Sequence, residues 1–273
     1  MDPKDQDQEE ETRSLPRAFN GQRARAALAS LIEPASHPRL VLDAGHVTTV
    51  DAYAGAVLRT GIEVHLARDP GNSIVVAEPE ASLCWAALYD LLGEFLPPRS
   101  SWAGNRPTPT RGRDIVLPAT PIADDETTVL LTDVALPAAA GALGFGDHAR
   151  RLLQEAAAAF IDNARKYGDE NAPVGPVICA ALEPQSNDLQ LVVCDLGSDA
   201  PADGQAALRD AVSRSRETLG GIQSLVALRR NGMDLSVRLA FGAGRAHHRT
   251  HRAWRFSTFA AVPGFIAGVE IHR

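Results

Sequence analysis

Apolar residues recur along this chain in two rhythms, and their alternation predicts its layers. From Asn20 to Ile32, the residues Ala24, Leu28, Leu31 and Ile32 return at helical spacing, and Pro34 and Pro38 close that helix. Arg39-Leu40-Val41-Leu42-Asp43 reads as a short buried strand. Asp51 is placed to N-cap a helix running through Ala56, Val57, Leu58, Ile62 and Leu66. Asp69-Pro70-Gly71-Asn72 is a turn, because Pro fixes φ and Gly or Asn tolerates positive φ. A strand from Ser73 to Ala77 and a helix from Glu80 to Phe95 follow. Strand and helix alternating at such short spacing predict a small α/β layer with some parallel pairing.

The second half changes rhythm. A strand from Asp114 to Leu117 leads into two helices, Glu126 to Leu143 and Asp147 to Tyr167, split by Gly144-Phe145-Gly146. Two apolar β-type runs come next, Val174 to Leu182 and Leu189 to Asp195, joined by the hairpin composition Pro184-Gln185-Ser186-Asn187-Asp188. A helix from Gly221 to Arg230 and a strand from Asp234 to Phe241 are expected. A basic stretch from Gly244 to Arg255 then interrupts the pattern and reads as a solvated loop. A last hairpin joins Arg255–Ala260 to Phe265–Ile271 across Val262-Pro263-Gly264. Helices first and mixed strands later give an α+β class, with a two-layer α/β sandwich in the C-terminal half and a small α/β domain before it.

Residues 97–113 are rich in Pro, Gly, Ser and Arg and mark a linker. The expected organisation is a disordered acidic tail over 1–18, an α/β domain over 19–98, a linker over 99–112 and a second domain over 113–273. At 273 residues and 45% hydrophobic content, the chain can build a real core. Its net charge of -7 gives no overall pull toward nucleic acid or anionic membrane. Cys84, Cys179 and Cys194 lie in apolar runs without metal spacing, so free buried thiols in a reducing compartment are expected. The polar start and the lack of any long apolar run point to the cytoplasm.

Three stretches carry candidate chemistry. Gln154 to Gly168 presents Asn163 near the end of a helix, where its amide oxygen is a hard ligand suited to Mg²⁺. Leu191-Val192-Val193-Cys194-Asp195-Leu196-Gly197 runs a strand into an Asp-x-Gly turn. There Asp195 could accept a hydrogen bond from an exocyclic amine, and Gly197 lets the backbone approach a flat base. Gly220 and Gly221, ahead of a helix, would turn N–H groups toward a phosphate. Lys166 could touch phosphates or simply offset the helix dipole. His247, His248 and His251 sit among arginines that would repel a cation, so nucleic-acid contact is the alternative there.

Residues from about 113 to 273 resemble the Bergerat-fold (GHKL) ATP-binding domain of histidine kinases and anti-sigma-factor kinases. Phe160-Ile161-Asp162-Asn163-Ala164-Arg165-Lys166-Tyr167 is similar to its N box, Asp195-Leu196-Gly197 to its G1 box, and Leu219-Gly220-Gly221-Ile222 to its G2 box. The resemblance implies ATP and Mg²⁺ as ligands, with Asn163 on the metal, Asp195 reading adenine, and Gly197, Gly220, Gly221 and Lys166 shaping the nucleotide site. The chain departs from the family at several points, among them compressed G2 glycines and a span between the boxes too short for a long ATP lid. Ala159 stands where hydrolysing members place a Glu general base, Asp199 replaces the last Gly of G1, and Phe265 replaces a Thr. Weak or absent hydrolysis is therefore expected, and no catalytic residue is assigned.

Leu40 to Ala52 looks like the strand–loop–strand of a STAS domain, an anti-sigma-antagonist fold, with Ala52 where that family has a phosphorylatable Ser. Together the two resemblances imply a cytoplasmic ATP/Mg²⁺-binding regulator that acts on a protein partner by partner switching. A homodimer is compatible with this, whereas membrane and nucleic acid are not expected. The alternatives are a pseudo-ATPase scaffold with no nucleotide, or a serine kinase of a separate antagonist.

Overall fold

A computed structural model describes residues 10–21, 23–77, 84–92, 95, 115–167, 172–183, 186, 188–197, 235–241, 245–249, 254–258 and 265–272. The first half runs β1 (Glu10–Ser14), β2 (Ala18–Phe19), α1 (Ala24–Ile32), β3 (Arg39–Asp43), β4 (Thr49–Val50), α2 (Ala52–Arg68), β5 (Ser73–Ala77) and α3 (Trp85–Leu92). The second half continues with β6 (Ile115–Pro121), α4 (Asp125–Val129), a π-helical stretch (Leu130–Ala135), α5 (Leu136–Ala142) and α6 (Asp147–Tyr167). Its later strands are β7 (Val177–Leu182), β8 (Leu189–Asp195), β9 (Leu235–Phe241), β10 (Arg245–Arg249), β11 (Trp254–Thr258) and β12 (Phe265–Ile271). The expected linker and the helix over 221–230 lie outside the described residues.

In the first half β3 lies between β1 and β5, all parallel, as the short strand–helix alternation predicts. Part of the stretch expected as a disordered tail is instead ordered. Glu10–Ser14 forms β1 despite its polar sequence, because its charged groups are tied to the chain beside it. The Arg13 guanidinium bonds the Glu11 carboxylate at 2.6 Å and donates to the carbonyls of Ser30, Glu33 and Pro34. Glu11 in turn accepts the Ser36 N–H, which holds its carboxyl below the usual range.

The second half is a seven-stranded antiparallel sheet in the order β11-β10-β9-β12-β8-β7-β6. Every residue of β7 and β8 is buried, because helices cover both faces of these strands. Side chains alternate between the faces with a period of two. Ile178, Ala180, Leu191 and Val193 share one core with Leu153, Ala157, Phe160 and Ala164 of α6. Val177, Cys179, Val192 and Cys194 join the core of the first half through α2. The sandwich thus has a third layer, supplied by a helix from far upstream.

That helix is buried on almost every side and carries small residues where neighbours come closest. Asp51 caps it, accepting the Ala54 N–H at 2.9 Å as its position predicts, and also the Gly21 N–H at 2.9 Å. Gln190 of β8 accepts the Ala52 N–H at 3.3 Å, so the large sheet itself contacts the start of α2. A Cβ at Gly55 would lie 2.8 Å from Cys179 Sγ, and one at Gly268 of β12 would lie 2.0 Å from Tyr53 Oη. Glycine at 268 is what lets the buried Tyr53 ring sit on the sheet.

Three other expectations are corrected. The basic stretch is not all loop, because Arg245–Arg249 pairs antiparallel with both β9 and β11. Nor do the last two strands form a hairpin, since β12 inserts between β8 and β9 while β11 takes the outer edge. The single helix expected over Glu126 to Leu143 is broken by the π-helical stretch.

Gly268→Ala should lower stability by about 2–4 kcal/mol through overpacking against Tyr53, read by urea unfolding. Adding Tyr53→Ala should make the double variant less destabilised than the sum of the two single changes. Strict additivity would show that the two residues do not meet.

Candidate functional site

The end of β8 and the end of α6 meet at one end of the large sheet. Val177, the first residue of β7, pairs with Cys194, while Pro121, the last of β6, pairs with Val177. Ile122 donates its N–H to the Pro176 carbonyl at 2.8 Å, which keeps the start of β7 beside the end of β6. Just beyond β6, α4 begins under an Asp124 cap that accepts the Thr127 N–H at 2.7 Å. Arg165, in the last turn of α6, donates to Asp125 and, at 2.9 Å, to Thr128. The C-terminal turn of α6 therefore lies at the Val177–Asp195 end of the sheet.

Asp195 also shares the face that α6 covers. It follows Val193 by two residues, and Val193 packs with α6, whereas Cys194 and Leu196 turn to the α2 side. Asn163 is half-buried on α6. Residues two apart on a helix lie about 200° apart, so Asn163 sits on the flank of α6 opposite the one from which Arg165 reaches α4. Phe265 of β12 pairs with Asp195. Asn163 and Asp195 thus share one end and one face of the sheet. Gly197 is buried beside Asp195. Lys166 lies in the last turn of α6, and Gly220 and Gly221 fall outside the described residues.

The electrostatics centre on Asp195, which is 5% exposed. Burial pushes its carboxyl up to about 6, against the opposing pull of the backbone N–H groups of Gly197 and Leu196, which donate to it. The shift corresponds to about 3 kcal/mol of cost for keeping the group ionised at neutral pH. An acid held this way gains from any donor that reaches its free lone pairs. Ala159, where the resemblance would want a general base, is buried one turn before Asn163, and Glu155 is exposed a further turn back. Neither supplies a carboxylate next to Asn163.

A second polar group was not visible in the sequence. His272 places Nδ1 at 2.8 Å from Asp188 Oδ2 and Nε2 at 3.0 Å from Ser236 Oγ. The connectivity is that of an acyl-transfer relay, but Ser236 is only 5% exposed and offers no approach to an acyl carbon. The group ties together the start of β8, the start of β9 and the end of β12. Its three members are 84 and 36 residues apart in sequence, so no local motif could have announced it.

No protein-family model matches this chain, and neither the curated proteins nor the solved structures contain a match.

For Asp195 the linkage sign follows from the raised value. The folded state binds its proton more tightly than the unfolded state, so its contribution is full below the unfolded value of 3.8 and is lost as pH rises through about 6. Asp195→Asn, which cannot ionise, should gain on the parent by about 1–2 kcal/mol between pH 5 and pH 8, a few degrees in thermal midpoint. A difference that stays flat over that range would sink the assignment.

Proposed function

We propose that this chain is an ATP- and Mg²⁺-binding regulator of the histidine-kinase-like ATPase type, acting through protein contacts in a partner-switching manner, with weak or absent hydrolysis. The observation that carries the reading is the buried Asp195, set at a strand end on the face of the sheet that α6, the helix carrying Asn163, covers. A carboxyl poised near pH 6 is a strong acceptor for an exocyclic amine once it ionises, and such a donor would offset part of its burial cost. Buried Gly197 adds no side chain beside it, which suits the close approach of a flat base.

The metal fits the same arrangement. Asn163 is half-buried, so part of its surface is open to solvent, and its amide oxygen would be the metal ligand. Mg²⁺ prefers one or two protein oxygens plus phosphates and water, and a single amide is enough for that part. Bound there, the ion would neutralise phosphate charge. The residues of this chain would orient the base through Asp195 and fix the metal-bearing end through Asn163. The absence of a carboxylate at Ala159 favours binding as a signal over turnover, because that is the position where the resembled family carries the base that takes a proton from water.

Calorimetric titration with ATP and Mg²⁺ tests this directly. The expected outcome is micromolar binding that weakens at least about tenfold in Asn163→Ala and in Asp195→Asn. Affinity should also fall as pH drops below about 6, where Asp195 takes up its proton and can no longer accept freely. No heat at millimolar ATP would leave the alternative of a pure interaction scaffold.

A further inference from the structure

Among the described residues, three large apolar side chains stand more than half exposed, and all three lie on one short run. Val129 is 56%, Leu130 57% and Val134 56% exposed. They occupy the junction of α4 with the π-helical stretch, and the wider turn explains why they face outward. Leu131 and Leu136 are both buried although five residues apart. In an α-helix that spacing would separate them by about 140°. The Leu136 N–H instead reaches the Leu131 carbonyl, the i to i−5 bond that puts both on the core face. Keeping both leucines in the core leaves Val129, Leu130 and Val134 on the outer ridge.

Acidic residues surround this ridge. Asp124, Asp125, Glu126 and Asp133 are all exposed, and Glu126 and Asp133 share the outward side with the three apolar residues. Among the described residues, Arg165 is the basic group whose contacts reach this run, and it is engaged with Asp125 and Thr128. A second copy docking ridge to ridge would bring like charges together around its apolar centre, and an anionic lipid surface would be repelled in the same way. An apolar stripe flanked by Lys or Arg meets both demands at once.

We propose that the outward ridge of α4 and the π-helical stretch is the docking surface for a basic amphipathic helix of a partner protein. The proposal rests on the reading of this chain as one that acts by protein contact, and does not depend on ATP. Val129, Leu130 and Val134 supply the apolar seat, and Glu126 and Asp133 select the charge. Arg165 links this surface to the turn of α6 that bears Asn163, so an occupant of either place acts on the same short helix end.

The test uses the full chain without nucleotide and fluorescein-labelled synthetic helices of equal length, followed by fluorescence anisotropy. One peptide is Lys/Leu amphipathic, one Glu/Leu, and one Lys/Ser with the same positive charge. The Lys/Leu peptide should bind the parent, and the triple change Val129→Ser, Leu130→Ser, Val134→Ser should weaken it roughly tenfold or more with no change in charge. Glu126→Lys with Asp133→Lys should weaken it as well and should flatten its salt dependence. The idea is overturned if the Lys/Leu peptide does not bind, if the triple-serine variant binds it unchanged, or if the Lys/Ser or Glu/Leu peptide binds equally well. Sedimentation that shows a parent dimer abolished by the triple-serine change would overturn it too, by assigning the ridge to self-association. Because ATP is absent from every arm, failure of the nucleotide reading would leave these outcomes untouched.

Discussion

The seating of α2 on the large sheet is the contact on which the rest of the structure depends. Tyr53 can lie against β12 only because residue 268 lacks a side chain, and Gly55 brings the helix close to Cys179 for the same reason. Through this contact the apolar residues of the parallel layer and one face of the antiparallel sheet become a single core. Strands β7 and β8 are buried along their length as a result, and the end of β8 lies on the face that α6 covers. A buried carboxyl at that end needs such support. Its burial cost has to be offset by packing elsewhere, and the doubly covered strands supply that packing.

On the proposed reading the end of β8 serves recognition rather than chemistry. Asp195 is buried and held by two backbone N–H groups, and α6 carries Asn163 at the same end of the sheet. Both groups would then act through a few directional contacts. The small, buried Ala159 keeps the helix close to the sheet, whereas a carboxylate there would have to be accommodated or solvated. The link from Arg165 to α4 makes the same helix end part of an exposed surface, so the proposed nucleotide binding and partner contact would share a mechanical element.

Much of the local structure was legible in the sequence. The bounds of α6 and β8, the Asp51 cap and the turn after α2 follow from periodicity and turn chemistry, which act over a few residues. β1 was hidden because its residues are polar, and they are held by Arg13 and Glu11 contacts with a segment twenty residues away. The place of β12 between β8 and β9 was equally hidden, since hairpin proximity suggested β11 as its neighbour and only the assembled sheet decides otherwise. The third layer over β7 and β8 depends on Gly268 meeting Tyr53 across more than two hundred positions, and no window of sequence contains both. At the candidate site Asn163, Asp195 and Gly197 could be picked out by residue type. The proton affinity of Asp195 and the His272–Asp188–Ser236 group emerge only from burial and long-range contact.

The central position of β12 has a consequence for biosynthesis. Until that late segment leaves the ribosome, β8 and β9 each present an unsatisfied flank, and the Tyr53 side of α2 has no sheet residue to rest on. From the completion of β8 until β12 emerges, the nascent polypeptide keeps a strand edge uncovered, a state that invites chaperone engagement. Truncation just ahead of Phe265 would prevent the sheet from closing.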